Sequence, residues 1–124
     1  MNSQVEAINF TKGAAFSDGY VAGSTLYVAG QQGPGAGGKL AGTDIKVQTT
    51  NAIANIRKIV EEAGFGMSDI VSVTIYFTDL NDVSGMNVVY KDLIPDPKPA
   101  RAAVQVEGLI GGAKIEISAI AVKR

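Results

Sequence analysis

Eight residues near the middle of the chain, Ile70-Val71-Ser72-Val73-Thr74-Ile75-Tyr76-Phe77, alternate between apolar and polar side chains. A period of two belongs to a strand, because successive side chains leave a strand on opposite faces, whereas a helix repeats every 3.6 residues. The alternation predicts Val71, Val73, Ile75 and Phe77 on a face turned to a core, and Ser72, Thr74 and Tyr76 on the other. Such a strand needs both partner strands and something apolar laid over it.

The flanking segments supply the cover. From about Asp44 to Ala63 apolar residues recur at spacings of three and four, so Ile53, Ile56, Val60 and Ala63 share one helical face. Thr43 or Asp44 can cap the start of that helix, and Gly64 can end it. A second helix carries Val83, Met86, Tyr90 and Leu93 on one side. Asn81 or Asp82 can cap it, and Pro95 bars its continuation. Four further stretches read as strands: Gly19 to Ala22 and Leu26 to Ala29, paired across Gly23-Ser24, then Ala100 to Glu107 and Lys114 to Val122. Val5 to Phe10 reads as a further edge strand. The core order ββ-α-β-α-ββ predicts an α+β fold, one sheet with two helices on one face, and 124 residues suit a single domain over 1–124.

The face away from the helices is expected to carry Tyr27, Ala29, Ser72, Thr74, Tyr76, Ala103, Gln105, Ser118, Ile120 and Val122. That set is too apolar to face only water and too polar for a dry core. It is expected to pack against further copies of the chain in a closed, symmetric assembly.

Composition narrows the chemistry. The chain has no Cys and no His, which removes thiol nucleophiles, Cys/His zinc sites and a Ser-His-Asp triad. Proton transfer is left to Asp, Glu, Lys, Tyr or water, so the reaction should need little nucleophile activation. A formal net charge of -1 and the lack of a basic stripe argue against a nucleic-acid partner. No run of about 18 apolar residues exists, so no membrane span is expected. Met1 to Asn9 lacks the pattern of a secretory leader, and the absence of Cys suits a reducing compartment, so a cytoplasmic protein is expected.

Three groupings invite a functional reading. Gly33-Pro34-Gly35-Ala36-Gly37-Gly38-Lys39-Leu40 satisfies G-x-G-x-x-G and nearly satisfies a phosphate loop. Leu40 stands where the magnesium-binding hydroxyl would be, and Ala41-Gly42 delays the helix, so segment 32–42 is read as a loop beside a site. Asp79, Asp82, Asp92 and Asp96 lack the spacing of a calcium loop, and Asp79 and Asp82 read as turn and cap residues, so no metal is expected. The third grouping is Arg101 with Glu116. Arg101 opens a strand and by parity shares a face with Ala103, Gln105 and Glu107, and Glu116 interrupts an apolar strand on the face of Ser118, so both are expected on the face away from the helices. Two readings stand beside each other: a structural ion pair tying subunits together, or a guanidinium fork that grips a small anion while the carboxylate orients water.

These residues bring a family into view. Gly30-Gln31, Asn51-Ala52-Ile53-Ala54-Asn55-Ile56, Val71 to Asp79, Asn87-Val88-Val89-Tyr90, Pro99-Ala100-Arg101 and Ile115 to Ala121 follow in the order seen in RidA (YjgF) proteins. The resemblance runs from about Phe16 to Arg124 and rests on the ordered set of motifs. It implies a chorismate-mutase-like fold, a homotrimer with clefts between subunits, and hydrolysis of enamine/imine intermediates of the 2-aminoacrylate type to 2-keto acids and ammonia without a cofactor. By the same resemblance, Arg101 binds the carboxylate of the imine or keto-acid ligand and Glu116 positions water. Gly30 offers a backbone amide, Ala103 a backbone carbonyl, and Asn87 lies near the cleft.

The chain also departs from the family pattern. Phe16 stands where many members carry a cleft Tyr, Ala29 replaces a Ser, and Ala103 replaces a common Cys. The stretch from Tyr90 to Pro99 is shorter than usual. The two lost hydroxyls bear on substrate range and rate. They leave open a different class of function, a non-catalytic trimeric module that binds small carboxylates. Single-strand ribonuclease or translation-inhibitor activity, known in some members, fits poorly with the net charge and the lack of His.

Overall fold

A computed structural model describes residues 5–34, 40 and 44–124. Its strands are β1 (Val5–Ile8), β2 (Gly19–Ala22), β3 (Thr25–Gln31), β4 (Ile70–Phe77), β5 (Ala100–Gln105) and β6 (Ile115–Val122). Helix α1 (Ile45–Glu62) lies between β3 and β4, and helix α2 (Val83–Leu93) between β4 and β5. The strands form one sheet in the order β1-β2-β3-β6-β4-β5. β4 and β5 run parallel, joined by the α2 crossover, and every other pair is antiparallel. The architecture is α+β, a mixed sheet with two helices. The Val5 segment does add an edge strand, so the order is βββ-α-β-α-ββ.

Local chemistry explains the boundaries. The Asp44 carboxylate caps α1 by accepting from the Val47 backbone N–H at 2.9 Å. Thr43, the alternative cap, lies outside the described residues. At the other end Gly64 turns into the left-handed region at φ 82°, where a side chain would be strained. Asp79 caps the short turn before α2 by accepting from Asn81 N–H at 2.9 Å. Asp82 precedes α2 but makes no side-chain cap bond.

Register fixes which side chains face the helices. Val73 pairs with Ala119, Ile75 with Ile117 and Phe77 with Ile115, while Val28 meets Ala119 from the other side. All are buried, together with Ile53, Ile56, Ile59 and Val60 of α1 and Met86 and Tyr90 of α2. Each such large side chain contributes about 1.5–3 kcal/mol by leaving water.

Two expectations are corrected. Val71 is 47% exposed and does not join the core, because β4 carries a bulge between Ile70 and Ser72 opposite β6. The extra residue shifts the phase, so Ile70 is buried instead. Ala103 and Gln105 are not on the face away from the helices. Parallel pairing sets Arg101 beside Val73, Ala103 beside Ile75 and Gln105 beside Phe77, which are helix-side positions, while Ala102 and Val104 take the other face. Every β5 residue is exposed, so no buried apolar side chain in Ala100–Gln105 marks the phase in the sequence.

The outer face is otherwise as read. Tyr27, Val104 and Val122 are 51%, 44% and 37% exposed, and Ser72, Thr74, Tyr76, Ser118 and Ile120 are half-buried. Among the described residues no helix is long and apolar enough to cross a membrane.

Candidate functional site

Arg101 stands at the start of the edge strand, and its position is set by α2 and the turn that leaves it. Lys98 ties that turn down: its ammonium donates to the carbonyls of Lys91 and Ile94 at the end of α2 and pairs with Asp96 at 3.2 Å. A cation suits a helix C-terminus, where orphan carbonyls gather. Three residues on, the Arg101 guanidinium lies over the Tyr90 ring, 4.8 Å from its centroid. One arm, Nη1, donates to Asn87 Oδ1 at 2.8 Å. Asn87, Tyr90, Lys91, Lys98, Pro99 and Arg101 line a hollow of about 200 Å³. The guanidinium is thus held by one edge and one face. Its remaining donors have no acceptor among the described residues, and a planar fork in that state suits a carboxylate.

Tyr90 is only 3% exposed, yet its hydroxyl has no hydrogen-bond partner among the described residues. Burial pushes the phenol above its ordinary value, and the Arg101 charge beside it offsets part of that rise. The phenol therefore stays neutral and presents an uncharged ring to the guanidinium.

Glu116 occupies the opposite face. It pairs with Tyr76 across β4, whereas Arg101 pairs with Val73, so one β4 strand separates two side chains that leave the sheet in opposite directions. Within one chain, among the described residues, Arg101 and Glu116 therefore form no ion pair. What Glu116 meets instead is Gly30 at the end of β3: a Cβ built on Gly30 would stand 2.8 Å from the Glu116 carboxyl carbon. Only glycine leaves the carboxylate that seat. Glu116 Oε1 also accepts from Gln32 Nε2 at 3.0 Å.

The strand end that bears Gly30 is itself clamped by α1. Asn55 donates to the Gln32 carbonyl at 2.9 Å, and Asn51 donates to the Pro34 carbonyl at 2.9 Å. Gly33 presses so closely on the helix that a Cβ would stand 2.5 Å from Ala52 N. These contacts explain the Asn-Ala-Ile-Ala-Asn-Ile stretch. Its two asparagines, four apart, hold the loop that follows β3, while Ala52, Ile53 and Ile56 fill the core.

The residues expected at the site therefore fall into two groups. Arg101 and Asn87 meet on the helix side of β5, with Ala103 further along the same strand and exposed. Glu116 and Gly30 meet at the β3–β6 seam, while Ala29, next to Gly30, turns its N–H to the β2 side of the strand, donating to Asp18 O at 2.9 Å. Phe16 stands 67% exposed on the segment before β2, in contact with neither group's hydrogen bonds. Spacing and charge in the sequence do not mark Gln32, Asn51, Asn55 or the Tyr90 shelf as site residues. Polar residues at i and i+4 on a core-facing helix were the available signal for the asparagines. The phosphate-loop look-alike falls largely on residues outside those described.

A mixed sheet with two helices, with an arginine fork held on its helix side and a seated carboxylate on its outer face, defines a class of small α+β proteins. Comparison with known proteins gives the class its family. The Endoribonuclease L-PSP family model matches residues 7–123, and the chain belongs to that family, the RidA/YjgF family. A RutC family protein of Pyrococcus horikoshii is 43% identical over 110 residues, covering 87% of this chain and 86% of that one. A 2-iminobutanoate/2-iminopropanoate deaminase of Capra hircus is 37% identical over 109 residues, covering 87% of this chain and 80% of that one. Among solved structures, E. coli TdcF with bound serine superposes with a TM-score of 0.82 at 34% identity, covering 90% of each chain.

Proposed function

We propose that the protein is a 2-imino acid deaminase. It hydrolyses enamine/imine intermediates of the 2-aminoacrylate type to 2-keto acids and ammonia, at clefts formed between the subunits of a homotrimer. The observation that carries this reading is the Arg101 fork, fixed by Asn87 and Tyr90 with donors to spare. Relatives named as deaminases at 37% identity support it.

The chemistry follows from the two groups. In R–C(=NH2+)–COO−, the carboxylate docks on Arg101 and the iminium carbon is already electrophilic. Water adds to that carbon, the C=N π pair moves to nitrogen, and Glu116 takes the proton the water loses. The same carboxyl then returns that proton to the amine, the C–N bond breaks with its electron pair leaving on ammonia while the hydroxyl oxygen closes the C=O bond, and the hydroxyl proton passes through Glu116 to the ammonia, giving a 2-keto acid and ammonium. No redox partner or metal enters the balance. Because Arg101 and Glu116 leave opposite faces of their own sheet, the reaction needs Arg101 of one copy beside Glu116 of another. The outer face, with Tyr27, Val104 and Val122 uncovered, is the surface a second copy would bury.

The test is release of keto acid when a dehydratase or amino-acid oxidase supplies the imine. Wild-type protein should accelerate it, and Arg101→Ala should abolish the acceleration while leaving the assembly intact. Binding of 2-ketobutyrate without turnover would instead mark a carboxylate-binding module and overturn the deaminase.

A further inference from the structure

We propose that Gln32 is a positioning residue for the water-attack step, acting through Glu116 and not on the substrate itself. The proposal rests on the deaminase reading and adds a residue to it.

Glu116 is a half-buried carboxylate whose one hydrogen-bond partner among the described residues is the Gln32 carboxamide, at 3.0 Å. That bond ties Oε1. It leaves the lone pairs of Oε2 to a water, with Gly30 providing the space beneath. A carboxylate on an unbranched side chain samples several rotamers unless something holds it. Gln32 is suited to do so because its own backbone is fixed: its carbonyl accepts from Asn55 at 2.9 Å, and Gly33 after it is pressed against α1. A continuous chain of contacts therefore runs from α1 through Asn55 and Gln32 to Glu116. The carboxamide is also the right chemistry. Its N–H supports a charged carboxylate, whereas an acid at this place would repel it and an apolar side chain would leave it loose. Misplacing a reacting group by about 1 Å costs roughly 100-fold in rate, so an orienting bond of this kind acts on turnover more than on binding. Substrate affinity, in contrast, is set on the other face by Arg101 and Asn87.

The experiment compares Gln32→Met, which keeps length and volume without the donor, with wild type. Expected is a fall in kcat of roughly 10- to 100-fold with KM within about twofold. A second readout does not depend on activity. The side-chain amide resonance of Gln32 should shift, and its protection from exchange fall, in Glu116→Ala. An unmoved Gln32 amide overturns the pairing, whatever the enzyme does. A shifted amide with an unchanged kcat in Gln32→Met overturns the positioning role. Wild-type protein without turnover overturns the deaminase reading and this role with it, while a shifted amide in that case still upholds the pairing.

Discussion

Gly30 and Glu116 meet on neighbouring strands with no room between them, since a methyl group on Gly30 would stand 2.8 Å from the Glu116 carboxyl carbon. The crowding atoms belong to the end of a flexible side chain, so Gly30→Ala should not break the sheet. It should instead push the carboxylate off its seat and away from Gln32. The expected outcome is a Tm within a few degrees of wild type and a fall in kcat of about 100-fold, by the cost of displacing a reacting group. Thermal melting and the coupled deaminase assay check it; wild-type turnover in Gly30→Ala would show that the seat is dispensable.

Arg101 and Glu116 point away from each other across β4, and this geometry has a consequence for mixed assemblies. Arg101→Ala and Glu116→Ala should each be inactive alone. Unfolded together and refolded as one mixture, they should regain activity, because some clefts draw Arg101 from one variant and Glu116 from the other. Random assembly of equal amounts makes roughly a quarter of the clefts intact. Activity near that fraction of wild type supports a shared site, and no recovery refutes it.

Much of this was legible in the sequence because burial writes itself into periodicity. The strand β4, both helices and the hairpin of β2 and β3 follow from apolar spacing and from glycines at turns. Val71 departs from the alternation because a bulge leaves no mark in the order of residues. The faces of Ala103 and Gln105 carry no signal in the sequence because β5 buries nothing on either side, so its phase comes from pairing with β4 alone. Of the site, Arg101 and Glu116 stood out as charges on strands. Their separation onto opposite faces depended on that same unreadable phase. Gln32 could not be found from spacing, since its bond to Glu116 spans 84 positions of the chain.

Gln48 illustrates a polar residue whose burial is structural. It is fully buried, and its Oε1 accepts from the Lys114 backbone N–H at 2.9 Å where β6 begins. Its Nε2 donates to the Leu40 carbonyl at 3.2 Å. Gln48→Leu keeps the bulk and removes both bonds, leaving a half-buried N–H unpaired. The expected loss is about 1–3 kcal/mol of stability. Urea unfolding checks it, with the slope unchanged and the midpoint lowered; an unchanged midpoint would mean that water replaces both bonds.

Tyr90 offers a prediction in which the sign depends on pH. Its buried hydroxyl lacks a partner among the described residues, so Tyr90→Phe removes a desolvation cost and should be neutral or stabilising near pH 7. At high pH the balance tilts further. The folded-state phenol titrates above its ordinary value because burial disfavours the anion, with the Arg101 charge opposing. The unfolded phenol ionises near pH 10, so above that value the unfolded state holds fewer protons and folding stability falls with pH, by at most about 1.4 kcal/mol per pH unit from this group. The loss continues until pH passes the folded-state value. Phe lacks the group, so the stability difference between Tyr90→Phe and wild type should be flat below pH 9 and should widen in favour of Phe above pH 10. Denaturant titrations of both proteins from pH 7 to 11 measure that difference directly. A gap that stays constant across the range would mean that water or a hydrogen-bond donor reaches the Tyr90 oxygen in the assembled protein, so that its phenolate is no costlier folded than unfolded.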